Sequence, residues 1–163
     1  MKKMEEKFTF FYHTSSPFSN WHPCEFEVED IVFNCSEQYM MYGKAIFFED
    51  EEMAERILAA KTPDKQKALG RKVRNFNYNL WREVAKDIVY KGCYAKFTQN
   101  EALKQMLLAT AGTTLVEASP FDVIWGIGMR DDNPDRFYRS KWKGTNWLGE
   151  VLTDLREELL RVK

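Results

Sequence analysis

The stretch Ser36-Glu-Gln-Tyr-Met-Met-Tyr-Gly-Lys-Ala-Ile-Phe-Phe48 constrains this chain most. With Ser36 as N-cap it reads as a helix whose apolar residues surround nearly the whole circumference, and such a helix belongs in an interior. A chain of 163 residues, 44% of them hydrophobic, can bury a sizeable core and fits one domain better than two. Two ionisable residues sit in this apolar helix, Glu37 and Lys44. Seven residues apart, they lie about 20° from each other around the helix and about 10 Å apart along it. Helical side chains lean toward the N-terminus, so Lys44 leans back toward Glu37 and a small ligand fits between carboxylate and amine. An acid/base group beside a nucleophilic amine is one way to break a C–N glycosidic bond. The same spacing also suits a plainer arrangement, with Glu37 favouring the helix dipole and Lys44 reaching out to water.

Around that helix the chain alternates short elements. Phe8-Thr-Phe-Phe-Tyr12 has the content of a buried strand, and Glu25 to Phe33 alternates as a hairpin with one wet face, so the N-terminal third reads as a small sheet. Glu49 to Ala60 is a helix with an acidic first turn, and Thr62-Pro63 starts a short one that ends near Gly70. From Asn79, Trp81, Val84, Ile88 and Ala95 share one face of a long helix to about Phe97. Leu103, Met106 and Leu107 mark another helix, Thr113 to Glu117 a strand, and Asn146 the start of a final helix. The connector from Ser119 to Thr145 is too long to be only a connector, which points to function. The class is α+β: a single compact, mostly helical domain with a small sheet over residues 8–163, after a charged segment 1–7.

Charge and cysteines narrow the partners. With 24 Lys+Arg against 25 Asp+Glu, the composition fits neither disorder nor a strongly basic nucleic-acid coat. No apolar run is long enough for a membrane span, and the start is too charged for a signal peptide, so the expected compartment is the cytoplasm. Cys24, Cys35 and Cys93 have no disulfide-framework spacing and are expected to stay reduced. With His13 and His22 they also lack the spacing of a zinc site, so neither metal nor cofactor is expected. Lys61, Lys65, Lys67, Arg71, Lys72 and Arg74 form a basic run followed by Asn75-Phe-Asn-Tyr-Asn79. Cations beside aromatic rings suit a phosphate and a base, with Arg71 favoured because guanidinium binds phosphate bidentately. Glu117-Ala-Ser-Pro-Phe-Asp-Val-Ile-Trp-Gly126 places two carboxylates and Trp125 where a strand gives way to a loop, either to bind ribose and stack on a ring or as a turn with a core Trp. Asn146 either caps the last helix or presents its amide to the cleft.

Taken together, Pro17-Phe-Ser-Asn-Trp21, Ser36-Glu-Gln-Tyr-Met-Met-Tyr-Gly-Lys-Ala45, Leu69-Gly-Arg71, Leu115-Val-Glu117, Asp122-Val-Ile-Trp-Gly126 and Lys143-Gly-Thr-Asn-Trp-Leu-Gly149 resemble the YbiA-like family. This family is also called the NADAR superfamily, after NAD and ADP-ribose. The resemblance runs from about Phe10 to Arg161. It implies a YbiA-like fold and N-glycosidase activity, on phosphoribosylamino-pyrimidine intermediates of riboflavin biosynthesis or on ADP-ribosylated guanine in nucleic acid. Carried over by position, Glu37 and Lys44 match the family's Glu-x6-Lys helix and Asp122 joins them as a catalytic carboxylate. Asn20, Arg71, Glu117, Trp125, Gly126 and Asn146 match positions that bind substrate. The loop from Arg130 to Lys143 is longer than in the short bacterial form and basic, so it suits either a cover over a small substrate or a nucleic-acid backbone. A module that binds ADP-ribose or NAD without cleaving it is the remaining expectation from a different class.

Overall fold

The computed structural model describes residues 5–162, which fall into two compact units, residues 20–101 and a unit built from residues 5–19 together with 102–162. The class is α+β with far more residues in helices than in strands, as the sequence predicts.

In the unit spanning residues 20–101, β2 (Phe26–Val28) and β3 (Ile31–Phe33) pair antiparallel across Glu29 and Asp30. Both turn residues have positive φ, 51° and 68°, the backbone twist that a two-residue hairpin demands. Four helices follow: α1 (Ser36–Phe47), α2 (Glu51–Ala59), α3 (Pro63–Gly70) and α4 (Tyr78–Gln99). The other three all pack on α1, which is why its sequence is apolar on so many sides. Close approach has a sequence cost at Gly92 on α4, where a Cβ would run into the Tyr39 ring, and at Gly70 on α3, where it would run into Met41. Phe26, Phe33, Tyr39 and Ala95 form a buried cluster between hairpin and helices.

The caps differ from the sequence reading by a residue or two. Cys35 rather than Ser36 is the N-cap of α1, and no side chain closes that end. Asn77, not Asn79, caps α4 by accepting from the Leu80 amide at 3.2 Å. Asp50 caps α2 through the Met53 amide and also accepts from the Arg74 amide and guanidinium, at 2.9 and 3.1 Å, so it ties the segment after α3 back to α2. Those amide and guanidinium donors hold its carboxyl below the usual range.

In the other unit, β1 (Phe8–Phe11) runs parallel to β4 (Thr114–Glu117), with Phe8 opposite Thr114 and Phe11 opposite Glu117. This corrects the expectation of one N-terminal sheet: β1 pairs with a strand a hundred residues away, and the hairpin forms a sheet of its own. Alternation marks which face of a strand is buried but carries no information on its partner. Helix α5 (Glu101–Leu108) precedes β4, and α6 (Trp147–Arg161) packs on it, with Gly149 so close to the Leu115 carbonyl that no Cβ fits. The long connector is largely irregular, with 3-10 turns over Pro134–Phe137 and Arg139–Lys141.

Candidate active site

The first turn of α1 is built onto the loop before the hairpin. The Glu37 amide donates to the Asn20 carbonyl at 2.9 Å, satisfying one of the amides that a helix start leaves unpaired. Glu37 itself is only 4% exposed, and the Trp21 indole N–H donates to its Oε1 at 3.3 Å. The positive end of the α1 dipole favours a carboxylate at this position. Beside it, Asn20 is 8% exposed, and its side-chain Oδ1 is buried with no hydrogen-bond donor among the described residues.

Two turns along the same face, Lys44 is half-buried, with its ammonium 4.4 Å from the centre of the Phe76 ring. Burial lowers the pKa of this amine below the ordinary lysine value of 10.5; the Glu37 carboxylate opposes that, and the Arg71 guanidinium reinforces it. Lys44 therefore feels the charges of both Glu37 and Arg71. Arg71 itself is exposed at the end of α3, whose last residue, Gly70, is the point of closest approach to α1. Its neighbour Arg74 is committed to Asp50, so Arg71 is the guanidinium of the basic run left to meet an anion near Lys44.

Chemically, this arrangement puts a weakened base within the electrostatic influence of a buried carboxyl group. An amine of lowered pKa is more often neutral near pH 7 and so able to attack an electrophilic carbon, and a buried carboxyl can carry a proton to or from it. Two contributors escape a reading by residue type alone. Trp21 and Phe76 hold the carboxylate and the amine, and their only sequence signals are that one follows Asn20 and the other ends the basic run.

The remaining expected residues lie in the other unit. Asp122 is the corner of an Asx turn: its Oδ1 accepts from the amides of Ile124 and Trp125, at 2.9 and 2.8 Å, and so sets the start of Trp125. Trp125 is partly exposed and meets Trp147 edge to face at 5.6 Å. Gly126 is buried where a Cβ would press on the carbonyls of Glu117 and Asp122. Glu117 ends β4 with its side chain half-buried, and its carbonyl accepts from the Ile127 amide. Asn146 stands at the N-cap position of α6, as expected, and its carbonyl accepts from the Glu150 amide at 2.9 Å, but its side chain makes no cap bond. That side chain is fully buried: Oδ1 accepts from the Glu117 amide at 2.9 Å and Nδ2 donates to the Leu115 carbonyl at 3.0 Å. It fastens β4 to the start of α6, in a left-handed conformation (φ 54°) that asparagine tolerates better than most residues.

Comparison with known proteins bears on this geometry. Residues 9–160 match the NADAR domain family. The chain is 42% identical to Protein irg-1 of Caenorhabditis elegans, over 93% of this chain and 79% of that one. It is 40% identical to N-glycosidase R617 of Acanthamoeba polyphaga mimivirus, over 94% and 96%. With the chloroplastic riboflavin biosynthesis protein PYRR of Arabidopsis thaliana it shares 35% identity, over 67% of this chain but only 17% of that longer one. Among solved structures, the NMR structure of the E. coli protein YbiA superposes with a TM-score of 0.79 at 31% identity, covering 98% of this chain and 88% of that one. The fold, the order of elements and the near full-length match to an N-glycosidase agree: the chain belongs to the NADAR domain family, as a YbiA-like N-glycosidase.

Proposed function

We propose that this N-glycosidase cleaves the C–N glycosidic bond of a phosphoribosylamino-pyrimidine intermediate of riboflavin biosynthesis, releasing ribose 5-phosphate, with Lys44 as nucleophile and Glu37 as proton carrier. The observation that carries the reading is the Lys44 amine, weakened by burial and by Arg71 and facing a buried carboxylate. In this mechanism the neutral amine bonds to C1′ as the C1′–N bond to the base breaks, with Glu37 giving a proton to the departing amine and then taking one from the Lys44 nitrogen. Breaking C1′–O4′, with O4′ protonated to a hydroxyl, opens the sugar ring to an imine, which water hydrolyses to free ribose 5-phosphate and restore Lys44. Arg71 holds the sugar phosphate, and the buried Asn20 Oδ1 accepts from a donor on the substrate. The second carboxylate, Asp122, has one oxygen committed to two amides, which favours Glu37 over it as proton carrier.

Support for the small substrate comes from the name of the PYRR relative and from the Arg130 to Lys143 loop. Its cations are largely engaged within their own unit: Arg139 pairs with Glu6, Lys141 with Asp135 at 3.3 Å, and Arg136 stacks on Phe137 at 4.1 Å. The two ion-paired charges, Arg139 and Lys141, attract a nucleic-acid backbone less than free ones would. Three free cysteines suit a reducing compartment such as the cytoplasm.

The test incubates the protein separately with a 5-phosphoribosylamino-pyrimidine and with ADP-ribosylated guanine in DNA, following base release by mass spectrometry. Release from the pyrimidine, abolished in Lys44→Ala and weakened in Arg71→Gln, is the expected result. Release from DNA alone overturns the substrate assignment in favour of a de-ADP-ribosylating enzyme. Tight binding of intact ADP-ribose with no release from either substrate overturns catalysis and leaves a binding module.

A further inference from the structure

Ile46 and Phe47 break the pattern of α1. Both are apolar, yet they are 46% and 39% exposed, whereas the first half of the helix is buried. They border a cavity of about 470 Å³ enclosed by the β2–β3 hairpin, α1 and α4. That volume falls within the roughly 300–1,000 Å³ typical of small-molecule sites. The cavity is not part of the face that carries Glu37 and Lys44: Ile46 lies nine residues from Glu37, about 180° around the helix at 100° per residue.

Its lining is chemically specific. Phe33, Tyr39 and Tyr42 bring three rings to it, with Phe33 edge-on to Tyr39 at 5.0 Å and to Tyr42 at 5.5 Å. Phe33 and Tyr39 are buried and back the cavity, while Tyr42, half-buried, and Phe47, 39% exposed, are the rings with surface to offer a flat aromatic guest. Three charged residues stand among the lining groups, Glu29, Asp87 and Lys91. Lys91 pairs with Glu29 at 3.1 Å and cancels it, which leaves the exposed Asp87 as the net charge of the site. Tyrosine and phenylalanine faces also attract cations.

We propose that this cavity is a second ligand site, which takes a planar aromatic molecule bearing one positive charge. The Tyr42 and Phe47 rings supply the stacking, the aliphatic side chains of Val84 and Ile88 exclude water, and Asp87 selects the sign of the charge. The proposal does not depend on how the glycosidic bond is cleaved.

Proflavine, a flat three-ring cation, is a direct probe. Fluorescence titration of the full chain at low ionic strength should show saturable one-to-one binding. Val84→Trp, whose indole fills the cavity, should lose that binding, and Asp87→Asn, a surface change with little influence on folding, should weaken it about threefold to fivefold. An anilinonaphthalene sulfonate, aromatic but anionic, should bind more weakly than proflavine. The proposal is overturned by absence of saturable binding, by a dye affinity that neither variant changes, or by preference for the sulfonate. It is also overturned if sedimentation shows two copies of the chain joined through this patch, with Ile46→Lys separating them.

Discussion

Lys44 illustrates how one side chain acquires chemistry from its surroundings. An ordinary lysine titrates near 10.5 and is almost wholly protonated at neutral pH; burial lowers that value, Arg71 lowers it further, and Glu37 raises it. The rate should therefore rise with pH along a limb set by the free amine, and kcat/KM plotted against pH should place that limb below 10.5. Arg71→Gln, by removing the neighbouring positive charge, should move the limb to higher pH; a limb that stays in place contradicts the assigned role of Arg71. Asn146 belongs to this scale as well, because replacing its amide strands the Leu115 carbonyl and the Glu117 amide inside the protein. Urea denaturation of Asn146→Leu should show a loss of about 2–4 kcal/mol, whereas a change below about 0.5 kcal/mol would mean that β4 does not need this clamp. The Glu37 and Lys44 pair was legible in the sequence because helical spacing is a local property. The role of Asn146 was not, since its partners are backbone groups some thirty residues earlier.

The helices were legible from periodicity, and α1 from its lack of a polar face. What periodicity leaves out is the tightness of packing between elements. Gly92, within α4, reads as an ordinary weak point of a helix, and propensity alone has Gly92→Ala stabilise the protein by up to about 1 kcal/mol. In the fold that Cβ meets the Tyr39 ring of α1, so the substitution should instead destabilise by about 1–3 kcal/mol. The sign of the shift in a thermal melt decides between helix propensity and interhelical contact. Lys96 is a second burial that periodicity does not single out: it is 1% exposed, with its charge disfavoured by burial.

At the scale of the whole molecule, the class and the order of elements could be read along the chain, because each element is announced by its own residues. Strand pairing could not: β1 and β4 meet across a hundred residues, and nothing in Phe8–Phe11 distinguishes that partner from the adjacent hairpin. The match to the family over residues 9–160 involves both compact units, and the proposed reacting pair lies on a single helix in one of them. The claim on which the account rests is that Lys44 forms a covalent bond to the sugar. Borohydride added during turnover of a 5-phosphoribosylamino-pyrimidine should trap the imine, and intact-mass analysis followed by peptide mapping should find one ribose 5-phosphate residue on Lys44. Lys44→Arg should show neither adduct nor base release, since guanidinium cannot form the imine. Base release undiminished in Lys44→Arg, with no adduct in the parent protein, would contradict the account and leave Glu37 activating water directly.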